Sequence, residues 1–271
     1  MSFRQKLNNI VKKNKSLLCV GLDPDLEKIP KYLLKEKDPI FVFNKEIIDA
    51  TFNLVCAYKP NIAFYEAYGI EGLKSLKKTI EYLIRHYKDI PIILDAKRGD
   101  IENTAARYAK SVFEYWNVDA VTVYPNLGLD SLLPFFEYKD KLIILLIKTS
   151  NPDSKTFQDI SIDGEPYFLK MAKIIKDWQY DNIGIFVGAS YAKTLKSIRE
   201  LFPQTIILTA GIGAQKATVK NAVIAGIDKV GQNLICNNSR EIIYASKKSD
   251  FDQICRKKAL GLRNLINKYI L

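Results

Sequence analysis

Two aspartates flanking a lysine set the chemistry open to this sequence. In Asp95-Ala96-Lys97-Arg98-Gly99-Asp100 two carboxylates bracket one ammonium, directly after the apolar run Ile92-Ile93-Leu94. Side chains alternate faces along an extended strand, so Asp95 and Lys97 are expected on one side. Gly99 permits a sharp turn, after which Asp100 is expected to cap the free N–H groups of a helix over 101–113. Lys59 closes a second strand-like run. Two lysines and two aspartates converging in a dry pocket form an alternating charge array, which holds a lysine protonated and sets a carboxylate against an anionic substrate. The same residues also satisfy a plainer reading, a salt bridge with a helix cap.

Other carriers of protons are few. The single His86 lies in Arg85-His86-Tyr87-Lys88, a stretch that reads as a solvated helix end. One histidine also excludes a HExxH zinc site. Cys19, Cys56, Cys236 and Cys255 form no C-x-x-C pair, so no metal site is expected. They read as buried thiols in a reducing compartment, which places the protein in the cytoplasm. Acid–base work therefore falls to Lys, Asp, Glu, Tyr or Cys.

A further group of residues suits a phosphorylated ligand. Gly211-Ile212-Gly213-Ala214-Gln215 offers backbone N–H groups and a side-chain amide, and Arg240 offers a guanidinium. The alternative is a tight turn between strand and helix, since neither a Walker A loop nor G-x-G-x-x-G is present. Asp23, in Gly21-Leu22-Asp23-Pro24-Asp25, either accepts from sugar hydroxyls or serves as a turn and helix-start signal.

These residues need a scaffold that gathers them. The chain has 271 residues, of which 48% are hydrophobic, and a net charge of +11. That length suits one barrel-sized domain or two small ones, and no Pro/Gly/Ser-rich linker divides it. Only 8 of the 41 basic residues are Arg, and the lysines are spread among acidic residues. This is the pattern of a solvated surface attractive to small anions, not of a nucleic-acid-binding stripe. The aliphatic run 142–147 is far short of the roughly 18 residues a membrane span needs, and the run 17–22 is too short for a signal-peptide core.

Eight short apolar runs recur, at 17–23, 55–59, 90–97, 120–125, 142–150, 183–188, 205–211 and 229–235, each ending in polar or glycine residues. Between them lie stretches of helical periodicity at 43–54, 70–87, 104–116, 167–178 and 192–201. Alternating strands and helices imply parallel pairing, and continuously apolar strands imply burial on both faces. The expected fold is a single (β/α)8 TIM barrel spanning 1–271, with a strand-based core over about 17–245 and a C-terminal helical segment at 250–271. Chemistry then belongs at the C-terminal strand ends, with phosphate after strands seven and eight.

Together these segments resemble the orotidine 5'-phosphate decarboxylase family. Gly21-Leu22-Asp23-Pro24-Asp25, Tyr58-Lys59-Pro60-Asn61-Ile62-Ala63-Phe64, the run 94–104, Thr149-Ser150-Asn151-Pro152, Val187-Gly188-Ala189 and Gly211-Ile212-Gly213-Ala214-Gln215 match in order. They are most similar to the branch shared by many bacteria and malaria parasites. The resemblance implies a cofactor-free lyase that converts orotidine 5'-monophosphate to UMP and carbon dioxide in de novo pyrimidine synthesis. It also implies a homodimer with shared active sites and no nucleic-acid or membrane partner. Lys59, Asp95, Lys97 and Asp100 match the family's charged tetrad, in which Asp95 crowds the substrate carboxylate, Lys97 protonates C6, and Lys59 orients Asp95 and contacts ribose. Asp100, Ile101 and Thr104 would reach the neighbouring subunit's site. Asp23 and Asn61 would face ribose, Ser150 the pyrimidine edge, and Gln215 and Arg240 the phosphate, with Val187 and Gly213 also at the substrate. Loops at 151–165 and 215–218 would close over it.

The chain departs from the family pattern at Ala210, where Pro is usual, at Lys216-Ala217, where glycines are usual, and in the order Tyr124-Pro125-Asn126. Lys216 is a candidate for an added phosphate contact. Two rival readings remain: a metal-dependent sugar-phosphate decarboxylase or formaldehyde-fixing synthase of the same superfamily, and a basic nucleic-acid-binding protein.

Overall fold

The eight apolar runs become eight parallel strands in the computed structural model of the chain, which describes residues 1–213 and 216–270. They are β1 Leu18–Leu22, β2 Ala57–Pro60, β3 Ile93–Arg98, β4 Ala120–Val123, β5 Leu142–Lys148, β8 Ile183–Gly188, β9 Ile206–Ala210 and β10 Leu234–Asn238, while β6 Ser161–Ile162 and β7 Glu165–Pro166 make a separate antiparallel hairpin. The hydrogen-bonded order is β2-β1-β10-β9-β8-β5-β4-β3. Parallel bridges Tyr58–Ile92 and Asn61–Asp95 join the two outer strands and bring the sheet round into a barrel. The (β/α)8 expectation is met.

Every residue of β1, β2, β4, β5, β8 and β10 is buried. The barrel interior covers one face of each strand and the helices cover the other, which is why these runs are continuously apolar rather than alternating. The long helix Gly69–His86 buries Leu76, Ile80 and Leu83 at helical spacing. The C-terminal helix Phe251–Asn267 lies on the helix Pro39–Thr51, with the Phe43 and Phe251 rings stacked at 5.3 Å. Each such large apolar side chain contributes about 1.5–3 kcal/mol when fully buried.

The helix Phe3–Asn14 lies across the N-terminal end of the barrel. Ser2 and Gln5 form a capping box at its start. Its face binds residues that precede strands: Arg4 donates to Asn233 Oδ1 at 2.7 Å and Lys6 pairs with Asp119 at 2.7 Å. On the same side Arg199, from the helix Ala192–Leu201, donates to the carbonyls of Gly226, Phe202, Pro203, Thr205 and Asn233. This guanidinium supplies five buried or half-buried acceptors where β9 and β10 begin.

Two elements differ from expectation. The eighth barrel strand starts at Leu234, not near Lys229, because Asp228 makes a turn of the intervening residues. Its carboxylate accepts from the Val230 and Gln232 N–H groups at 3.1 and 2.6 Å and from Asn233 Nδ2 at 2.6 Å. The helix expected over 104–116 is an α-helix at Glu102–Lys110 that widens into a π-turn at Ser111–Tyr115.

Arg199→Met is expected to lower unfolding free energy by about 3 kcal/mol or more, since several buried carbonyls lose their donor. Urea denaturation measures it; a midpoint unchanged from wild type contradicts the stitching role.

Candidate active site

Asp95 holds the centre of the site. Its Oδ2 meets Lys59 Nζ at 2.8 Å, and its Oδ1 meets Lys97 Nζ at 2.7 Å. Thr122, at the end of β4, donates its hydroxyl to Asp95 Oδ1 at 2.9 Å and accepts the Lys97 N–H at 3.0 Å. Lys59 and Asp95 are buried, while Lys97 opens toward the cleft. Burial opposes charge on Asp95, but the two ammonium groups outweigh it and hold the carboxyl well below the usual range. Burial likewise opposes charge on Lys59, and Asp95 with Asp23 outweighs it and raises the lysine above its ordinary value.

Strand alternation does not by itself aim Lys97. The register between β3 and β4 slips between Leu94 and Arg98, and Lys97 takes a left-handed φ of 46°. A non-glycine residue there costs about 1–3 kcal/mol and persists because its surroundings fix it. The Thr122 hydroxyl and the Asp95 carboxylate do so here.

Two connected lobes of one cleft open from this cluster at the C-terminal strand ends. One, of about 240 Å³, is lined by Lys97, Thr122, Tyr124, Ser150, Asn151 and Phe186, among others. The other, of about 370 Å³, is lined by Asp23, Asn61, Gly213, Asn237, Ser239 and Arg240, among others. Lys59, Asp95, Ser150 and Ala210 border both. A larger cavity of about 680 Å³, walled by Ile242, Ala245, Ile254, Leu262 and Leu265 beneath the C-terminal helix, holds none of the charged cluster.

Each lobe is shaped by a glycine. At Gly188 a Cβ would stand 2.9 Å from Ser150 Cα, so only glycine lets the backbone after β5 settle onto β8. Gly211 adopts φ 87°, turning the chain after β9 toward the second lobe. The Ile212 carbonyl of this turn accepts from Asn238 Nδ2 at the end of β10. The Asp23 carbonyl accepts from the Tyr244 hydroxyl at 2.6 Å, while its buried Oδ1 has no partner among the described residues.

Most of the sequence-derived residues converge: Asp23, Lys59, Asn61, Asp95, Lys97, Ser150, Gly213 and Arg240 all line the cleft. Asp100 does not join Lys59 and Lys97 within one chain. It makes no ion pair among the described residues, and the expected helix cap is corrected, because its carboxylate accepts only the adjacent Ile101 N–H while Ile101 holds the cap position. Ile101, 64% exposed, and Thr104 face solvent away from their own cleft. Val187 is buried and lines neither lobe; Phe186, one residue earlier on the other face of β8, forms the wall instead. Gln215 and the side chain of Lys216 lie outside the described residues. The segment 151–165 contains a 3-10 turn at Pro152–Ser154, the short helix Lys155–Gln158 and β6. Sequence reasoning missed Thr122, Tyr124 and Phe186. A lone hydroxyl near the end of the apolar run 120–123 was the available signal for Thr122.

This geometry has relatives. The family model described as "Orotidine 5'-phosphate decarboxylase / HUMPS family" matches residues 16–250. Proteins named orotidine 5'-phosphate decarboxylase from Christiangramia forsetii and Cellvibrio japonicus are 48% and 46% identical to the chain, covering 96% and 98% of it and the same shares of their own lengths. The structure of Leishmania donovani OMP decarboxylase superposes with a TM-score of 0.83 at 33% identity, covering 98% of the chain and 99% of that structure. Leishmania donovani UMP synthase gives 0.87 at 35% identity, with all of the chain covering 56% of that longer protein. Matched along its length in sequence and in fold, the chain belongs to the orotidine 5'-phosphate decarboxylase / HUMPS family.

Proposed function

We propose that the protein is an orotidine 5'-phosphate decarboxylase, releasing carbon dioxide from orotidine 5'-monophosphate to give UMP in pyrimidine biosynthesis. The observation that carries this reading is the unbroken Lys59–Asp95–Lys97 ion triad at the junction of the two lobes. The lobe beyond Lys97 suits a pyrimidine ring against Phe186, Tyr124 and Ser150. The other lobe suits ribose at Asp23 and Asn61, and phosphate at Arg240, an exposed arginine at its rim.

In the reaction, the bond from C6 to the carboxyl carbon breaks and its electron pair stays on C6, in the ring plane, where no adjacent carbonyl can delocalise it. Carbon dioxide leaves, and Lys97 Nζ gives a proton to C6. The ammonium supplies both the field that stabilises the developing charge and the proton that quenches it. Asp95 stays anionic between its lysines and repels the carboxylate that is to be lost. Lys59 keeps the Asp95 carboxylate fixed for that role. Grip on the distant phosphate commits binding energy to ring placement. No step calls for histidine, metal or cofactor.

The site is read as shared between two copies of the chain. Ile101 and Thr104 are exposed beside a half-buried Asp100, and the apolar side chains of Leu127 and Leu133 are left 51% and 41% exposed. Each copy would offer Asp100 to the other's Lys97. The four buried free thiols support a cytoplasmic setting. Among the described residues no helix is long and apolar enough to cross a membrane.

Lys97→Ala is expected to abolish turnover of orotidine monophosphate, followed by ultraviolet absorbance with EDTA present, while wild type remains active; comparable rates in the two would sink the mechanism. Mixing inactive Lys97→Ala and Asp100→Ala proteins after reversible dissociation is expected to recover about a quarter of wild-type activity, since half the dimers regain one intact site. No recovery contradicts the shared site.

The triad also predicts a pH dependence of stability. Asp95 is depressed on folding, so its contribution is present above the ordinary carboxylate range and lost as pH falls through the folded value. Lys59 is raised, so its contribution is present below the ordinary lysine range and lost as pH rises through the folded value. Asp95→Asn is expected to cost about 3 kcal/mol, level from about pH 5 to 9 and shrinking below about pH 4. A difference that stays constant into acid in urea titrations rules this out.

A further inference from the structure

Lys148 is a second buried lysine, and the reaction above does not use it. It ends β5 with its side chain 1% exposed, and Nζ meets Asp159 Oδ1 at 2.6 Å. Nζ also stands 4.9 Å from the ring centre of Tyr191 and 5.7 Å from that of Phe168. A desolvated ammonium persists only with such compensation from an anion and aromatic faces. Asp159 lies eleven residues further along the chain, just past the helix Lys155–Gln158, so the ion pair closes the segment between them into a loop.

A second set of bonds closes within the first. Gln158 Oε1 accepts the Thr149 N–H at 2.9 Å, and Gln158 Nε2 donates to Thr149 Oγ1 at 3.1 Å. Ser154 Oγ and the Tyr191 hydroxyl share a hydrogen bond of 3.2 Å. The residues clamped at the start of this loop, Thr149, Ser150 and Asn151, line the lobe next to Lys97, and Ser150 rests on Gly188 of β8.

We propose that Lys148 is a positioning residue whose ion pair with Asp159 staples the segment 149–159 to the barrel rim, setting Ser150 and Asn151 for the ring of a pyrimidine nucleotide. The inference rests on the functional reading above and adds to it a residue that never touches substrate. Loss of Asp159 leaves a buried ammonium short of its anion, and the loop opens to hydrate it. Loss of the lysine charge frees Asp159 and the same loop. In both cases the lobe of Asp23, Asn61 and Arg240, which takes only Ser150 from this segment and its other walls from other strands, largely keeps its shape.

That division supplies the test. UMP fills both lobes, whereas ribose 5-phosphate fills only the second. Calorimetric titration of each ligand into wild type, Lys148→Met and Asp159→Ala is expected to weaken UMP binding about tenfold or more in both variants, with ribose 5-phosphate within about twofold of wild type. Asp159 is partly exposed, so its truncation leaves the barrel folded should Lys148→Met fail to fold. Unchanged UMP affinity in Asp159→Ala, or equal weakening of the two ligands, overturns the staple. Wild type that binds no UMP overturns the functional reading itself, and the inference with it.

Discussion

The carboxylate of Asp95 between two ammonium groups is the constraint on which the site depends. Two lysines within hydrogen-bond distance of one oxygen pair repel each other, and Lys59 is buried. Only a carboxylate kept ionised lets both persist there. Removing one member of a buried pair commonly costs about 3–5 kcal/mol, because the survivor is left uncompensated. The surroundings follow from this need. The barrel closes at the Asn61–Asp95 bridge, Thr122 occupies a hydrogen bond to the same carboxylate, and the β3 bulge aims Lys97 at it. In the proposed reaction the same arrangement does the chemistry: the anion that keeps Lys97 in place also crowds the group to be expelled.

The barrel divides its labour between its ends. At the N-terminal end, Arg199 and the helix Phe3–Asn14 tie strand starts together with buried and half-buried hydrogen bonds and an ion pair that face no cavity of the charged cluster. At the C-terminal end, polar side chains project into a cleft, and several of their buried oxygens, the Asp23 Oδ1 among them, have no partner among the described residues. An orphaned buried acceptor is unfavourable without a ligand. Stability resides at one end and unsatisfied binding capacity at the other, the usual arrangement for chemistry in this fold.

Much of this was legible in the sequence, for identifiable reasons. Strands buried on both faces are written as unbroken apolar runs, so all eight could be counted, and polar residues just beyond them marked the functional end. The Asp-x-Lys-x-x-Asp spacing named the charged centre. What stayed hidden depended on tertiary geometry. The start of β10 moved because Asp228 folds back on its own chain, a choice that apolar periodicity does not encode. Lys97 reaches Asp95 through a bulge and a left-handed backbone rather than through simple alternation, and only the position of Thr122 on the next strand fixes that. Among the described residues Asp100 has no partner within its chain beyond its neighbour's N–H. In the proposed shared site its place is taken up only when a second copy is present.

In the proposed reaction Lys97 Nζ exchanges a proton with C6 of the pyrimidine. By microscopic reversibility, a group that delivers the proton in the forward direction removes it from the product. The most direct measurement is proton NMR of UMP incubated with the enzyme in D2O, reading the loss of the C6–H signal. Wild type is predicted to wash deuterium into C6, and Lys97→Ala, still binding UMP, is predicted not to. Equal exchange in both proteins would assign the proton to another donor and contradict the account.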